Sequence, residues 1–141
     1  MKPEKLKEGM LWLRQAEQDM DDAMLLAEHK RHNSACFLAQ QAAEKALKAF
    51  LYAQGAEDVW GHSIAELAYD AEKLDRDFAD LRPKVSPLDK YYIPTRYPGS
   101  LPGGSIPSET FDSDDAEKAM RLAKQTINFV KRKLGGQQPQ K

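Results

Sequence analysis

The stretch from Ala35 to Leu51, ACFLAQQAAEKALKAFL, restricts most what this chain can become. Its apolar residues cover most of a helical circumference, as a helix with neighbours on several sides requires. Gln40, Gln41, Glu44, Lys45 and Lys48 fall three and four positions apart, so they collect into one narrow polar strip. The many alanines keep helix propensity high and let adjacent helices come close, while Phe37, Leu47 and Phe50 fill the space between them. The stretch predicts the buried central helix of an all-α protein.

Composition narrows the class further. A chain of 141 residues suits one domain built on a single core. The formal charge of −1 and a pI of about 6.3 lack the basic excess of a nonspecific nucleic-acid binder, although a local basic patch remains open. The lone Cys36 lies inside the apolar helix, where a small buried hydrophobe is its natural role and a disulfide framework is excluded within one chain. Charged residues follow Met1 at once, and no apolar run has the length of a signal peptide or a membrane span. The expectation is a cytoplasmic protein.

From Pro3 to about Glu28 the sequence predicts a first long helix, with Leu6, Met10, Leu13, Met20, Met24 and Ala27 as its apolar stripe and Trp12 beside it as a packing residue. His29, Lys30, Arg31 and His32 come where that helix ends, and cations are favoured by its exposed carbonyls. No carboxylate or cysteine stands near them at ligand spacing, so no metal site is expected. Asn33 or Ser34 is the expected cap of the central helix, joined by a short loop that forces an antiparallel pair. After Gln54 and Gly55, Ser63 and Glu66 have capping-box spacing ahead of a short third helix lined by Ile64, Leu67, Ala68, Ala71 and Leu74. His62 precedes that cap, either packing over the helix start or serving a site. Asp75 to Tyr92 reads as a fourth helix interrupted by Pro83 and Pro87, with Ser86 capping a fresh turn.

From Tyr91 to Phe111 prolines and glycines forbid regular helix. A long ordered loop in a small protein is commonly functional, and Tyr91, Tyr92, Tyr97 and Phe111, with Ile93, Leu101 and Ile106, predict that this one packs onto the bundle. Arg96 offers a planar fork for phosphate, and the tyrosines around it can stack on a base. The alternative stays open, in which Arg96 pairs with a helix end or a carboxylate and the tyrosines fill a groove. Asp112 or Ser113 caps a last helix whose N-terminus is acidic and whose C-terminus, Lys131 to Lys133, is basic; Ala116, Met120, Ala123, Ile127, Val130 and Leu134 face its core. Residues 1–134 form the expected domain and 135–141 a polar, flexible tail.

The central CFLAQQAAEKALKAFL, His62-Ser63 at the next helix start and YYIPTRYP together resemble the HEPN family, the "higher eukaryotes and prokaryotes nucleotide-binding" domain. TRYPGSLPGGSIPSETF is also similar to the corresponding loop of the HEPN domain at the C-terminus of sacsin. The resemblance implies an antiparallel up-and-down bundle of about five helices that dimerises, with a groove tied to nucleotide binding. Some family members are ribonucleases; others stand beside a small nucleotidyltransferase in toxin–antitoxin pairs. The ribonuclease signature, an Arg followed a few residues later by a His on one helix, is absent from the segments around His29, His32, His62 and Arg96.

Two functions of different class follow. The first is a nonenzymatic, dimerising nucleotide-binding module, partnered by a nucleotidyltransferase. Arg96, Lys90, Lys45 and Lys48 then supply charge toward phosphate, Tyr91, Tyr92 and Tyr97 a base platform, and His62 a further contact; the nucleotide is a ligand, and no cofactor or membrane is involved. The second is an atypical ribonuclease toxin, for which His62 or His32 would have to point into a positive groove. A third possibility is a module that only dimerises.

Overall fold

A computed structural model describes residues 1–135. It is all-helical: α1 (Pro3–Glu28), α2 (His32–Ala53), α3 (Ile64–Glu72), α4 (Phe78–Val85), the short α5 (Pro107–Thr110) and α6 (Ser113–Gly135), with a 3₁₀ helix from Ser86 to Tyr91 between α4 and the loop. No strand occurs among the described residues. The fold is thus the helical bundle that the apolar periodicities predict, with three short turns of helix inside the Pro/Gly-rich loop: 3₁₀ turns at Pro98–Ser100 and Pro102–Gly104, then α5. No described helix is long and apolar enough to cross a membrane.

The centre is α2, as expected: Ala39, Ala42, Ala43, Ala46, Leu47 and Ala49 have no exposed surface. Its alanine surface admits α1 so closely that a Cβ added at Gly9 would lie 2.6 Å from the Ala49 carbonyl oxygen and 2.8 Å from the Ala53 Cβ. On its other side, Phe50 of α2, Phe78 of α4 and Phe129 of α6 form an aromatic cluster, with ring centroids 4.5 and 4.8 Å apart. Burying a side chain of this size contributes about 1.5–3 kcal/mol. The α6 helix returns antiparallel to α1, which Lys131 pairing with Glu17 and Met120 lying near Met20 both require.

The helix ends differ in places from expectation. A three-residue turn joins α1 to α2, and Arg31, not Asn33 or Ser34, occupies the N-cap of α2 without a side-chain hydrogen bond. Asn33 is engaged elsewhere, its amide donating to the Thr95 carbonyl at 3.0 Å. The α1 terminus is a Schellman turn: Arg31 N–H donates to Leu26 O, Lys30 N–H donates to Ala27 O, and Lys30 has a φ of 60°. Ser63 does cap α3, accepting from Glu66 N at 3.2 Å, but the carboxylate that completes this cap comes from Asp89 and not Glu66. Pro83 lies inside α4 without ending it; the interruption falls at Ser86 and Pro87, where the chain tightens into the 3₁₀ helix. Ser86 donates to the Arg82 carbonyl instead of capping a new turn. At α6, Asp112 and Asp115 each accept the other's backbone N–H at 3.0 Å, a reciprocal cap. Met24 and Leu74 stand 42% and 59% exposed, outside the stripes assigned to them. The expected flexible tail lies outside the described residues beyond Gly135.

Candidate functional site

The polar strip of α2 is buried, and its burial builds the site. Gln40, Glu44 and Lys48 are almost fully enclosed. A buried carboxylate is tolerated only when its oxygens are satisfied, and Glu44 accepts from Gln40, Gln41, Lys48 (3.1 Å) and the His62 Nδ1 (3.2 and 3.3 Å). Because a carboxylate can only accept, Nδ1 carries the imidazole proton, and the Nε2 of a neutral His62 is left as an acceptor. Gln40 also holds the backbone here, donating to the His62 carbonyl at 3.0 Å.

His62 is thereby fixed in direction while its side chain stays 56% exposed. Its ring stacks on Tyr92, with centroids 4.7 Å apart and planes 18° from parallel. The second restraint is Asp89, whose carboxylate accepts from Ile64 N, Ala65 N and the Ser63 hydroxyl, tying the start of α3 to the 3₁₀ helix that leads into Tyr91 and Tyr92. Filling a helix N-terminus with a carboxylate is electrostatically favourable as well as geometrically restraining.

Tyr92 carries the next member. The Arg96 guanidinium lies 4.6 Å from its ring centroid, 4.4 Å from Phe37 and 5.1 Å from Tyr97, and its Nε donates to the Tyr92 carbonyl at 2.8 Å. No carboxylate pairs with it among the described residues, so its remaining donors are not committed to an ion pair. The backbone beneath it is held by buried Thr95, which donates to the Tyr91 carbonyl and whose own carbonyl receives Asn33. Arg96, Tyr92, Phe37 and His62 therefore form one continuous cluster built from α2, the α3 entry and the loop, with Glu44 buried behind His62.

The other residues singled out in the sequence fall in different places. Lys48 is the ion-pair partner of Glu44, and Lys45 pairs with buried Asp19 of α1. Lys90 is exposed and lies 6.0 Å from the Tyr91 ring centroid. Tyr91 itself is core, 3% exposed and edge-on to Phe111, and burial, then the neighbouring Cys36 and Asp115, push its hydroxyl up to about 12. Tyr91 accordingly belongs to packing, not to the base platform. Tyr97 is half-exposed at the surface's edge, while Ile93 and Ile106 do not pack inward as expected. Cys36 is enclosed, and burial, then Asp115 and Asp112, push its thiol up to about 12, which keeps it from acting as a nucleophile.

Sequence reasoning missed Glu44 as the centre of the site, Phe37 as the floor under Arg96, and Asp89 as the clamp. Glu44 and Lys48 at i and i+4 were visible, but that spacing is ordinary on solvated helices. Only the connector crossing above them makes the pair a buried one.

Comparisons with known proteins agree on the family. A profile described as the HEPN domain matches residues 10–133. Among solved structures, TT1696 from Thermus thermophilus is 40% identical with a TM-score of 0.80, covering 89% of this chain and 97% of its own. ST0689, described as an archaeal HEPN homologue, is 35% identical with a TM-score of 0.73 over 89% and 97% of the two chains. A protein of Methanocaldococcus jannaschii named "Putative toxin MJ1304" is 26% identical over 134 residues, 89% of this chain and 88% of that one.

Proposed function

This chain belongs to the HEPN family, and from that premise we propose that it is a dimerising module that binds a phosphorylated nucleotide without turning it over, and that a nucleotidyltransferase is its protein partner. The observation that carries the reading is the state of Arg96: held among three rings, with one donor on backbone and no carboxylate partner among the described residues. Such a guanidinium is oriented before any ligand arrives, which lowers the entropy lost on binding a phosphate. Both faces of Tyr92 are taken, one by His62 and one by Arg96, so half-exposed Tyr97 and the outer face of His62 are the flat surfaces left beside Arg96 for the base.

Calorimetric titration with nucleotides tests this. Arg96→Ala is expected to weaken binding by about tenfold or more, equivalent to about 1.4 kcal/mol. Arg96→Lys should also weaken it, because an ammonium lacks the bidentate fork, and added salt should weaken the wild type. Affinity unchanged in both variants, with a lowered melting temperature, would make Arg96 a structural residue and remove the reading. Sedimentation at micromolar concentration checks the dimer.

A second reading, a ribonuclease toxin, draws support from the Glu44–His62 pair and from the word toxin in the archaeal relative's name. A carboxylate-oriented imidazole with Nε2 outward is the arrangement a general base needs at a 2′-hydroxyl, and Arg96 lies one ring away to meet developing phosphate charge. Incubation with single-stranded RNA decides between the two. Cleavage lost in His62→Ala and reduced in Glu44→Gln selects the enzyme; intact RNA selects the binding module.

A further inference from the structure

Between the antiparallel helices α1 and α6 runs a groove that no residue of α2 lines. Two adjoining hollows of about 350 and 290 Å³ occupy it, floored by Met20, Met24, Met120 and Ile127. Met24 is 42% exposed, and Leu25 beside it 55%. Methionine is unbranched and polarisable, which suits it to a surface that a partner packs against. The two walls differ in sign. Glu17 and Asp21 stand on the α1 side, Arg121 and Lys124 on the α6 side, where Glu117 is the exception. Lys131 of α6 crosses to Glu17, but Asp21, Arg121 and Lys124 are exposed and enter no ion pair among the described residues.

We propose that a second copy of the chain docks on this groove, with the two-fold axis running along it. The proposal rests on the dimerising reading and assigns the face and the symmetry that the reading leaves open. A surface with acid on one wall and base on the other is its own complement, provided the axis is the right one. An axis along the groove brings α1 of each copy opposite α6 of the other and leaves every residue at its own height. Asp21 and Lys124 wall the same hollow, so they stand level, and Asp21 of each copy then meets Lys124 of the other. An axis across the groove would instead set α1 on α1, acid against acid, which like-charge repulsion disfavours. The contact so formed has methionines at its middle and charges at its rim. Its size fits as well: at about 1.5 Å per residue and about 10 Å of width each, α1 and α6 side by side present roughly 700 Å², close to the roughly 800 Å² that one partner of a stable pair buries. No residue of the Arg96 cluster lines the groove, so each subunit keeps its own cluster outside this contact.

Sedimentation of the full chain over a micromolar concentration series reads the dissociation constant, and circular dichroism confirms that each variant keeps its helices. Met24→Glu, which puts a charge on the apolar floor, is expected to weaken association by about tenfold or more. Asp21→Lys, at an exposed position where folding is not at stake, should weaken it by a similar factor, because it sets a cation against Lys124 and Arg121 of the other copy. Joining Asp21→Lys with Lys124→Asp remakes the same pair with its ends exchanged and should bring the dissociation constant back to within a fewfold of the wild type. A wild type that dimerises while Met24→Glu dimerises equally well moves the interface to another face and leaves the dimerising reading in place. An Asp21→Lys variant that associates as tightly as the wild type, or one that Lys124→Asp does not rescue, overturns the axis along the groove. A wild type that stays monomeric throughout the series overturns the dimerising reading together with this one.

Discussion

Lys30 shows how much one residue's backbone can matter here. The turn that ends α1 has the same hydrogen bonds as the one that ends α2, where Ala56 N–H donates to Leu51 O and Gly55 N–H donates to Tyr52 O. At α2 the left-handed position is Gly55, with φ of 108°, whereas at α1 it is Lys30. An L-residue there carries roughly 1–2 kcal/mol of steric cost that glycine avoids, partly offset by glycine's greater freedom when unfolded, roughly 0.4–1 kcal/mol. Lys30→Gly is therefore expected to stabilise the protein by a few tenths to about 1 kcal/mol, read as a higher urea midpoint at constant slope. A lower midpoint would mean that the lysine side chain makes a contribution larger than the strain.

Between elements, the approach of α1 to α2 rests on Gly9. Replacing an internal helical glycine with alanine ordinarily gains roughly 0.5–1 kcal/mol from propensity alone. At Gly9 the new methyl would meet backbone oxygen and a methyl at under 3 Å, and neither belongs to a flexible side chain. The helices would have to separate along a tightly packed alanine surface, so the sign reverses and Gly9→Ala should destabilise by roughly 1–3 kcal/mol. Thermal melting of the variant checks this, and a stabilised Gly9→Ala would show that α1 and α2 sit farther apart. The same close packing holds Asp19 against Lys45 and Trp12 against Tyr52.

Across the whole molecule, the corner between α3 and α4 is tied to the end of α6 by Lys133, which pairs with Asp75 at 2.9 Å and with Asp77. Desolvation works against the Asp75 charge, but hydrogen bonds from Lys133 and from the Asp77 backbone outweigh it and hold the carboxyl below its ordinary 3.8. Hydrogen bonds to Asp77 and then Asp75 hold Lys133 above its ordinary 10.5. A depressed acid contributes stability that is complete above its unfolded value and is lost as pH falls through the lower folded value. A raised base contributes stability complete below its unfolded value and lost as pH rises through the folded one. The corner should thus contribute evenly from about pH 5 to 9 and weaken below about pH 4. Asp75→Asn is expected to lower stability at pH 7 by no more than about 1 kcal/mol, the contact being partly solvated, and to flatten the acid decline. Urea titrations at pH 3 and pH 7 measure both, and an unchanged acid slope would assign that decline to other carboxylates.

The helical class, the buried central helix, the interruption at Pro87, the acidic start and basic end of α6, and the grouping of Arg96 with Tyr92 and Tyr97 were legible in the residues themselves. Periodicity, proline geometry and end charges act over a few neighbouring positions, so sequence order carries them. The fate of the polar strip was not legible. Whether Glu44 and Lys48 face water or lie under His62, and whether Tyr91 or Tyr92 meets Arg96, depends on how the connector and the 3₁₀ helix cross α2. Those crossings join residues far apart in the chain, His62 to Glu44 and Asn33 to Thr95, and a buried ion pair forms only once both sides have been assembled. The local pattern of charges is the same in either case; the loss of solvent around them, which converts an ordinary helical pair into a directed imidazole, is a property of the packed chain alone.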